Sequence, residues 1–178
     1  PCELAVRGLD ALLDYQKYPV LAAEISTNNR RPLGIGIINF AYWLAKNDTN
    51  YSDPDLELVD EWAEAWSYYL IKASNELAKE KGACPKSLET RYGNGIIPSD
   101  TRKTDVDELV KHKERRKWKE LRKSLKEHGI RNSTLMALMP AETSAQISNS
   151  TNGIEPHKIH NNHHTVHLFQ NLLSFSFH

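Results

Sequence analysis

The feature that most constrains this chain is a long amphipathic helix signalled between Asp53 and Gly82. Asp53 reads as the N-cap and Pro54 as the first helical residue. Val59, Trp62, Trp66, Tyr69, Ala73 and Leu77 then recur at helical spacing along one face. Lys79 and Lys81 complement the negative end of the helix dipole, and Gly82 supplies a left-handed stop. A helix this long cannot cover its own aromatic stripe, so other elements must pack on it.

The rest of the chain offers those elements. Residues 4–15 place Ala5, Leu9, Leu12 and Leu13 at helical spacing, and Tyr18-Pro19 closes the segment. Residues 33–38, an apolar run broken by Gly34 and Gly36, read as a short buried strand, and a helix follows from Phe40 to Lys46. A further helix is signalled over residues 104–129. Its marks are Thr104 and Asp107 in capping-box spacing, Trp118, Leu121 and Leu125 on one face, and Gly129 as the stop. Residues 130–139 read as a second buried strand ended by Pro140, and a short helix runs through Gln146 and Ile147. Helices alternating with short buried strands predict an α/β architecture.

Composition narrows the function classes. The 178 residues suffice for about one domain, and 23 Lys and Arg balance 23 Asp and Glu. That balance argues against a whole-chain binder of nucleic acid or of a membrane surface. No run approaches the ~20 apolar residues that cross a bilayer. Cys2 and Cys84 form no disulfide framework, so a cytoplasmic location is expected. Because the chain starts at Pro1 rather than Met, a processed product or a fragment is also expected. Six of the eight histidines (His157, His160, His163, His164, His167 and His178) follow Pro156. A boundary is therefore drawn there: residues 1–156 form one folded stretch, and residues 157–178 form a His/Asn/Phe-rich tail expected to be disordered.

Several motifs fail. Gly34-Ile35-Gly36 is half of a dinucleotide fingerprint, but Asn39 stands where the third glycine belongs. There is no Walker loop, no GxSxG elbow and no CxxC pair. Residues 111–126 carry nine Lys or Arg against Glu114 and Glu120. Without interleaved aromatics for base stacking, that run reads as a solvated helix face opposite Trp118, Leu121 and Leu125.

The stretch after the second strand is more informative. Glu142, Thr143 and Ser144 lead into a short helix, where backbone N–H groups and neighbouring hydroxyls suit a phosphate. Thr and Ser are also ordinary N-caps, so the residues alone leave both readings open.

Trp118, Leu121, Gly129-Ile130-Arg131-Asn132, Ala137 and Pro140 resemble the signature of the ribonucleotide reductase large subunit. The surrounding Arg131-Asn132-Ser133-Thr134-Leu135 and Met139-Pro140-Ala141-Glu142-Thr143-Ser144-Ala145-Gln146-Ile147 are similar to class I reductases of the bacterial and phage type. So, in colinear order, are Leu12-Leu13-Asp14-Tyr15-Gln16, Leu33-Gly34-Ile35-Gly36-Ile37-Ile38-Asn39-Phe40-Ala41, Lys72-Ala73-Ser74-Asn75-Glu76-Leu77-Ala78 and Gly82-Ala83-Cys84-Pro85.

The resemblance implies part of a ten-stranded α/β barrel, incomplete within this chain. It implies an enzyme that reduces ribonucleoside diphosphates to deoxyribonucleotides by thiyl-radical chemistry. The substrate diphosphate would be held at Pro140, Ala141, Glu142, Thr143 and Ser144; Ala141 departs from related chains, which often carry Ser or Thr there. Implied partners are the rest of the large subunit, a small subunit with a metal/radical centre, and a thioredoxin- or glutaredoxin-type reductant, with no membrane. ATP and deoxynucleotide effectors would act elsewhere in the large subunit, so this segment is expected to bind no cofactor or metal. The catalytic Asn-x-Cys-x-Glu motif is absent, no catalytic residue is expected here, and Cys84 reads as a structural thiol. The chain alone is therefore expected to be inactive.

Readings of the tail stay open: an interrupted gene, a split subunit active only on assembly, or a metal-binding helix face formed by His157, His160, His164 and His167. A nucleic-acid-binding module using residues 111–126 is the remaining alternative.

Overall fold

The structure, a computed structural model, describes residues 1–156, and six α-helices appear there. They are α1 (Cys2–Tyr15), α2 (Leu21–Arg30), α3 (Phe40–Lys46), α4 (Leu56–Lys81), α5 (Trp118–His128) and α6 (Glu142–Ile147). Short 3-10 turns at Ser87–Glu89, Tyr92–Asn94, Pro98–Asp100 and Thr104–Glu108 link α4 to α5. The tail, with its expected boundary and its candidate metal-binding histidines, lies outside the described residues.

Helix α4 is the centre of the structure, packed against both α1 and α5. Leu70, Ile71 and Leu77 meet Val6 of α1, Leu121 and Leu125 of α5, and Ile130, Leu135 and Met136 beyond it. Nearer its start, Val59 and Ala63 meet Phe40 and Leu44 of α3 and Ile154. Across this junction Trp43 lies tilted against Trp62, 5.4 Å between centroids, and Trp62 stacks on Trp66 at 5.6 Å. Because α4 is covered on two sides, its buried arc is wider than one stripe. Tyr68, Ser74 and Asn75 are buried, whereas Tyr69, assigned above to the covered face, is exposed.

The cap of α4 is Asp55 and not Asp53: its carboxylate accepts from the Leu58 amide at 3.1 Å. Asp53 is held instead in a tight turn, its amide donating to the Asn50 carbonyl, so Pro54 precedes the helix. Helix α2 has no counterpart in the expected elements, and it buries no residue. The helix expected over residues 104–129 is split. Asp107 pairs with Arg102 rather than capping, and α-helix begins only at Trp118.

The largest correction concerns the strands. Residues 33–38 and 130–139 contribute one isolated parallel bridge, Ile35 to Met136, and no longer strand forms among the described residues. The described part is therefore mainly helical where an α/β chain was expected. The segments do run side by side: the Ile35 amide donates to the Leu135 carbonyl (2.8 Å), and Ala137 donates to Ile35 (3.1 Å). Two parallel segments with only each other to pair are too few for a stable sheet.

A buried polar knot locks these pieces together. Asp10 on α1 is fully buried; its carboxylate takes Arg31 Nε at 2.7 Å, Asn132 Nδ2 at 3.0 Å and Arg131 Nε at 3.3 Å. Asn132 also accepts from Ser74 of α4 and donates to the Arg31 carbonyl. Burial pushes the Asp10 carboxyl up, but the bonds from Arg31 and Asn132 and the charge of Arg131 outweigh it and hold the group below its ordinary value. Replacing Asp10 by Ala strands two arginines, and the expected cost is about 3–5 kcal/mol at pH 7 by urea denaturation. A depressed carboxylate stabilises above its unfolded value and loses that contribution as pH falls through its folded one. The gap between parent and variant should therefore shrink as pH drops below about 4; a gap independent of pH would show that the carboxylate charge is not what stabilises the knot.

Candidate functional site

The two extended segments run in the same direction and each delivers the chain into a helix, α3 after Asn39 and α6 after Ala141. Close approach is possible because Gly34 and Gly36 lack side chains; a Cβ at Gly36 would sit 2.7 Å from the Ala137 carbonyl oxygen. Both helix starts therefore lie together at one end of the pair. Residues 151–154 cross between them. Thr151 and Gly153 carbonyls accept from the Asn39 and Phe40 amides (3.0 and 3.2 Å), and Tyr51 donates its hydroxyl to the Ile154 carbonyl at 2.7 Å.

Pro140, Glu142, Thr143 and Ser144 are exposed here, and Ala141 is half-buried. Glu142, Thr143 and Ser144 form the first turn of α6, where amides have no acceptor within the helix. Those three amides, and the hydroxyls of Thr143 and Ser144, make no hydrogen bond among the described residues. Ala141 differs. Its amide is already taken, donating to Asn152 Oδ1 at 2.5 Å and to the Asn152 carbonyl at 3.3 Å. The structure thus brings the five expected residues to one exposed turn but leaves three free amides rather than four. Asn152, Asn39 and Tyr51 were not among the residues expected to matter. The Asn152-Gly153 pair, a turn signal, was the available hint.

The signature residues upstream do structural work. Trp118 is buried, donates its indole N–H to Glu64 at 2.8 Å and sets its ring edge-on against Tyr68. Leu121 is core, and Gly129 sits at φ 71, where a Cβ would lie 2.7 Å from the Ser87 hydroxyl.

The basic run is not one solvated face. Arg115 pairs with Asp60 at 2.7 Å, Arg116 with Glu64, Arg122 with Asp100, and His112 lies 2.8 Å from Asp60. Only Trp118–His128 of that stretch is α-helix, with Lys117 exposed ahead of it. The inward arginines are occupied by carboxylates and are not presented to a phosphodiester backbone.

Cys84 is buried, and burial pushes its thiol up, as half-burial does for Cys2. A raised thiol is a poor nucleophile at neutral pH. Among the described residues no group of three or more His, Cys, Asp or Glu is placed to hold a metal ion, and no helix is long and apolar enough to cross a membrane. Iodoacetamide at mildly alkaline pH should label half-buried Cys2 faster than buried Cys84 in the folded chain, read by peptide mass mapping. Equal labelling would refute the buried structural assignment of Cys84.

The ribonucleotide reductase barrel-domain family matches residues 1–166. The ribonucleoside-diphosphate reductase subunit alpha of Haemophilus influenzae is 58% identical over 157 residues, covering 88% of this chain and 21% of that protein. The ribonucleoside-diphosphate reductase 1 subunit alpha of Salmonella typhimurium is 62% identical over 145 residues, 81% of this chain and 19% of that protein. The subunit alpha of Enterobacteria phage T4 is 50% identical over 154 residues, 86% of this chain and 20% of that protein. The chain spans about a fifth of the length of these curated relatives. A family model that matches most of the sequence, with relatives 50–62% identical over more than four-fifths of it, shows that the chain belongs to the ribonucleotide reductase barrel-domain family.

Proposed function

We propose that residues 140–144 hold the substrate diphosphate in a class I ribonucleotide reductase large subunit, which converts ribonucleoside diphosphates to deoxyribonucleoside diphosphates by thiyl-radical chemistry. The observation that carries this reading is the exposed first turn of α6, with three unengaged amides and the unengaged hydroxyls of Thr143 and Ser144. Amides and the positive end of the dipole attract the anion, while the hydroxyls add directional bonds. Glu142 is the opposing charge on this turn and must point away from a bound phosphate.

In this reading residues 33–38 and 130–139 are neighbouring strands of the α/β barrel, completed by the rest of the large subunit. That polypeptide supplies the reactive cysteines and the effector sites for ATP and deoxynucleotides. The metal/radical centre belongs to a small subunit, and a thioredoxin- or glutaredoxin-type protein returns the electrons. Whether the rest of the large subunit is the same chain or a separate one leaves the chemistry of this turn unchanged. The change of composition at Pro156 supports assigning residues 1–156 to the barrel, although the family match runs ten residues further. Two free cysteines agree with a cytoplasmic location.

The test exchanges residues 1–156 of this chain for the matching stretch of the Haemophilus influenzae alpha subunit and assays the assembled enzyme with its small subunit. Hydrogen bonds to a charged phosphate contribute roughly 1.5–3 kcal/mol each, so Thr143→Ala with Ser144→Ala should raise KM for the diphosphate about tenfold or more. Lys117→Ala and Lys119→Ala should leave KM unchanged. The 178-residue chain alone should convert no ribonucleoside diphosphate. A KM indifferent to the hydroxyls but raised by the lysine changes would sink the phosphate assignment.

A further inference from the structure

We propose that Asn152 is a positioning residue that sets the aim of the phosphate-binding turn, an inference that rests on the function proposed above. Ala141 occupies the cap position of α6, and a methyl group cannot accept a hydrogen bond from the helix start. Its own amide is instead clasped by Asn152, through the side-chain Oδ1 at 2.5 Å and the backbone carbonyl at 3.3 Å. Asn152 makes no hydrogen bond to Thr143 or Ser144 among the described residues, so it acts on the turn through Ala141.

The clasp is anchored to the core on its far side. Thr151 exchanges hydrogen bonds with Asn39, the Thr151 carbonyl taking the Asn39 amide at 3.0 Å and Asn39 Oδ1 taking the Thr151 amide at 3.4 Å. Asn39 sits at φ 65, in the left-handed region that asparagine tolerates better than most residues. Gly153 takes the Phe40 amide, and Ile154 is buried with Phe40, Leu44 and Val59. The relay therefore runs from this cluster through residues 151–154 to Ala141, and from Ala141 to the three free amides. Loss of the Asn152 carboxamide leaves the Ala141 amide only the 3.3 Å contact with the Asn152 carbonyl, and so loosens residue 141 while the cluster stays intact.

The experiment uses the same exchanged alpha subunit assembled with its small subunit, and reads KM and kcat for cytidine diphosphate together with the thermal midpoint. Asn152→Ala should raise KM about three- to tenfold, the loss expected of one well-placed hydrogen bond, with kcat within about twofold of the parent and the midpoint nearly unmoved. If KM stays at the parent value while Thr143→Ala with Ser144→Ala raises it, the positioning role is wrong and the phosphate site stands. If neither change moves KM, the phosphate site itself is wrong and the inference falls with it. A joint fall of kcat and midpoint would make Asn152 a merely structural residue and also overturn the proposal. Asn152→Asp keeps an acceptor for the Ala141 amide but adds a negative charge beside the turn. It should fold like the parent and, at an ionic strength that screens the added charge, hold KM closer to the parent value than Asn152→Ala does; a KM raised as far as in Asn152→Ala under those conditions would count against the proposal.

Discussion

Asp10 is the residue on which the arrangement depends. One fully buried carboxylate gathers Arg31, Arg131 and Asn132, residues separated from it by as many as 122 positions in sequence. Through them it ties α1 to the end of α2, to the first extended segment and to the start of the second. Asn132 extends the tie to α4, its amide and its carboxamide both bonded to Ser74 Oγ. A buried charge alone would be costly, and here each of its partners is itself engaged. The knot therefore joins segments that are far apart in sequence. It decides where residues 33 and 134 stand relative to one another, and so where their chain ends emerge.

A second set of carboxylates does comparable work nearer the start of α4. Glu64 accepts from the Trp118 indole, the Arg115 and Arg116 amides and the Arg116 guanidinium, while Asp60 takes His112 and Arg115. Burial raises the Asp60 carboxyl, but the bonds from His112 and Arg115 and their charges prevail and lower it. This seam holds residues 112–117, which are outside any helix, against α4 and delivers Trp118 into the core at the start of α5. The helix expected through this region yields because tertiary partners for the arginines outweigh local helix preference.

How much of this was legible follows from which residues announce themselves locally. Helix α3 matches its expected bounds, and α4 and α6 are recognisable, because capping and periodicity are properties of neighbouring residues. Helix α2 was not legible, since it buries nothing and so carries no apolar period. The apolar runs at 33–38 and 130–139 look like strands from sequence, yet periodicity cannot reveal how many neighbours a strand has. The turn at Glu142, Thr143 and Ser144 could be read as an anion site from residue type alone. The commitment of the Ala141 amide could not, because its acceptor lies eleven residues later and is itself placed by Asn39, 112 positions before Thr151.

The position of the candidate site then has a physical explanation. In parallel α/β arrangements, ligands gather beyond the carboxyl ends of the strands, where helices begin and amides point outward. Two such ends lie side by side here. At the first, the Asn39 and Phe40 amides are taken by carbonyls of the chain's own residues 151 and 153. At the second, the same crossing segment closes only Ala141 and stops. The residues just beyond, Glu142, Thr143 and Ser144, are left exposed with amides unclaimed among the described residues. One strip of backbone thus both engages the neighbouring helix start and sets the limit of the open one. In the proposed reading, a diphosphate at that turn would meet donors held by the Asp10 knot through the extended pair and by the Phe40 cluster through residues 151–154. Its binding would cost little further ordering of the chain.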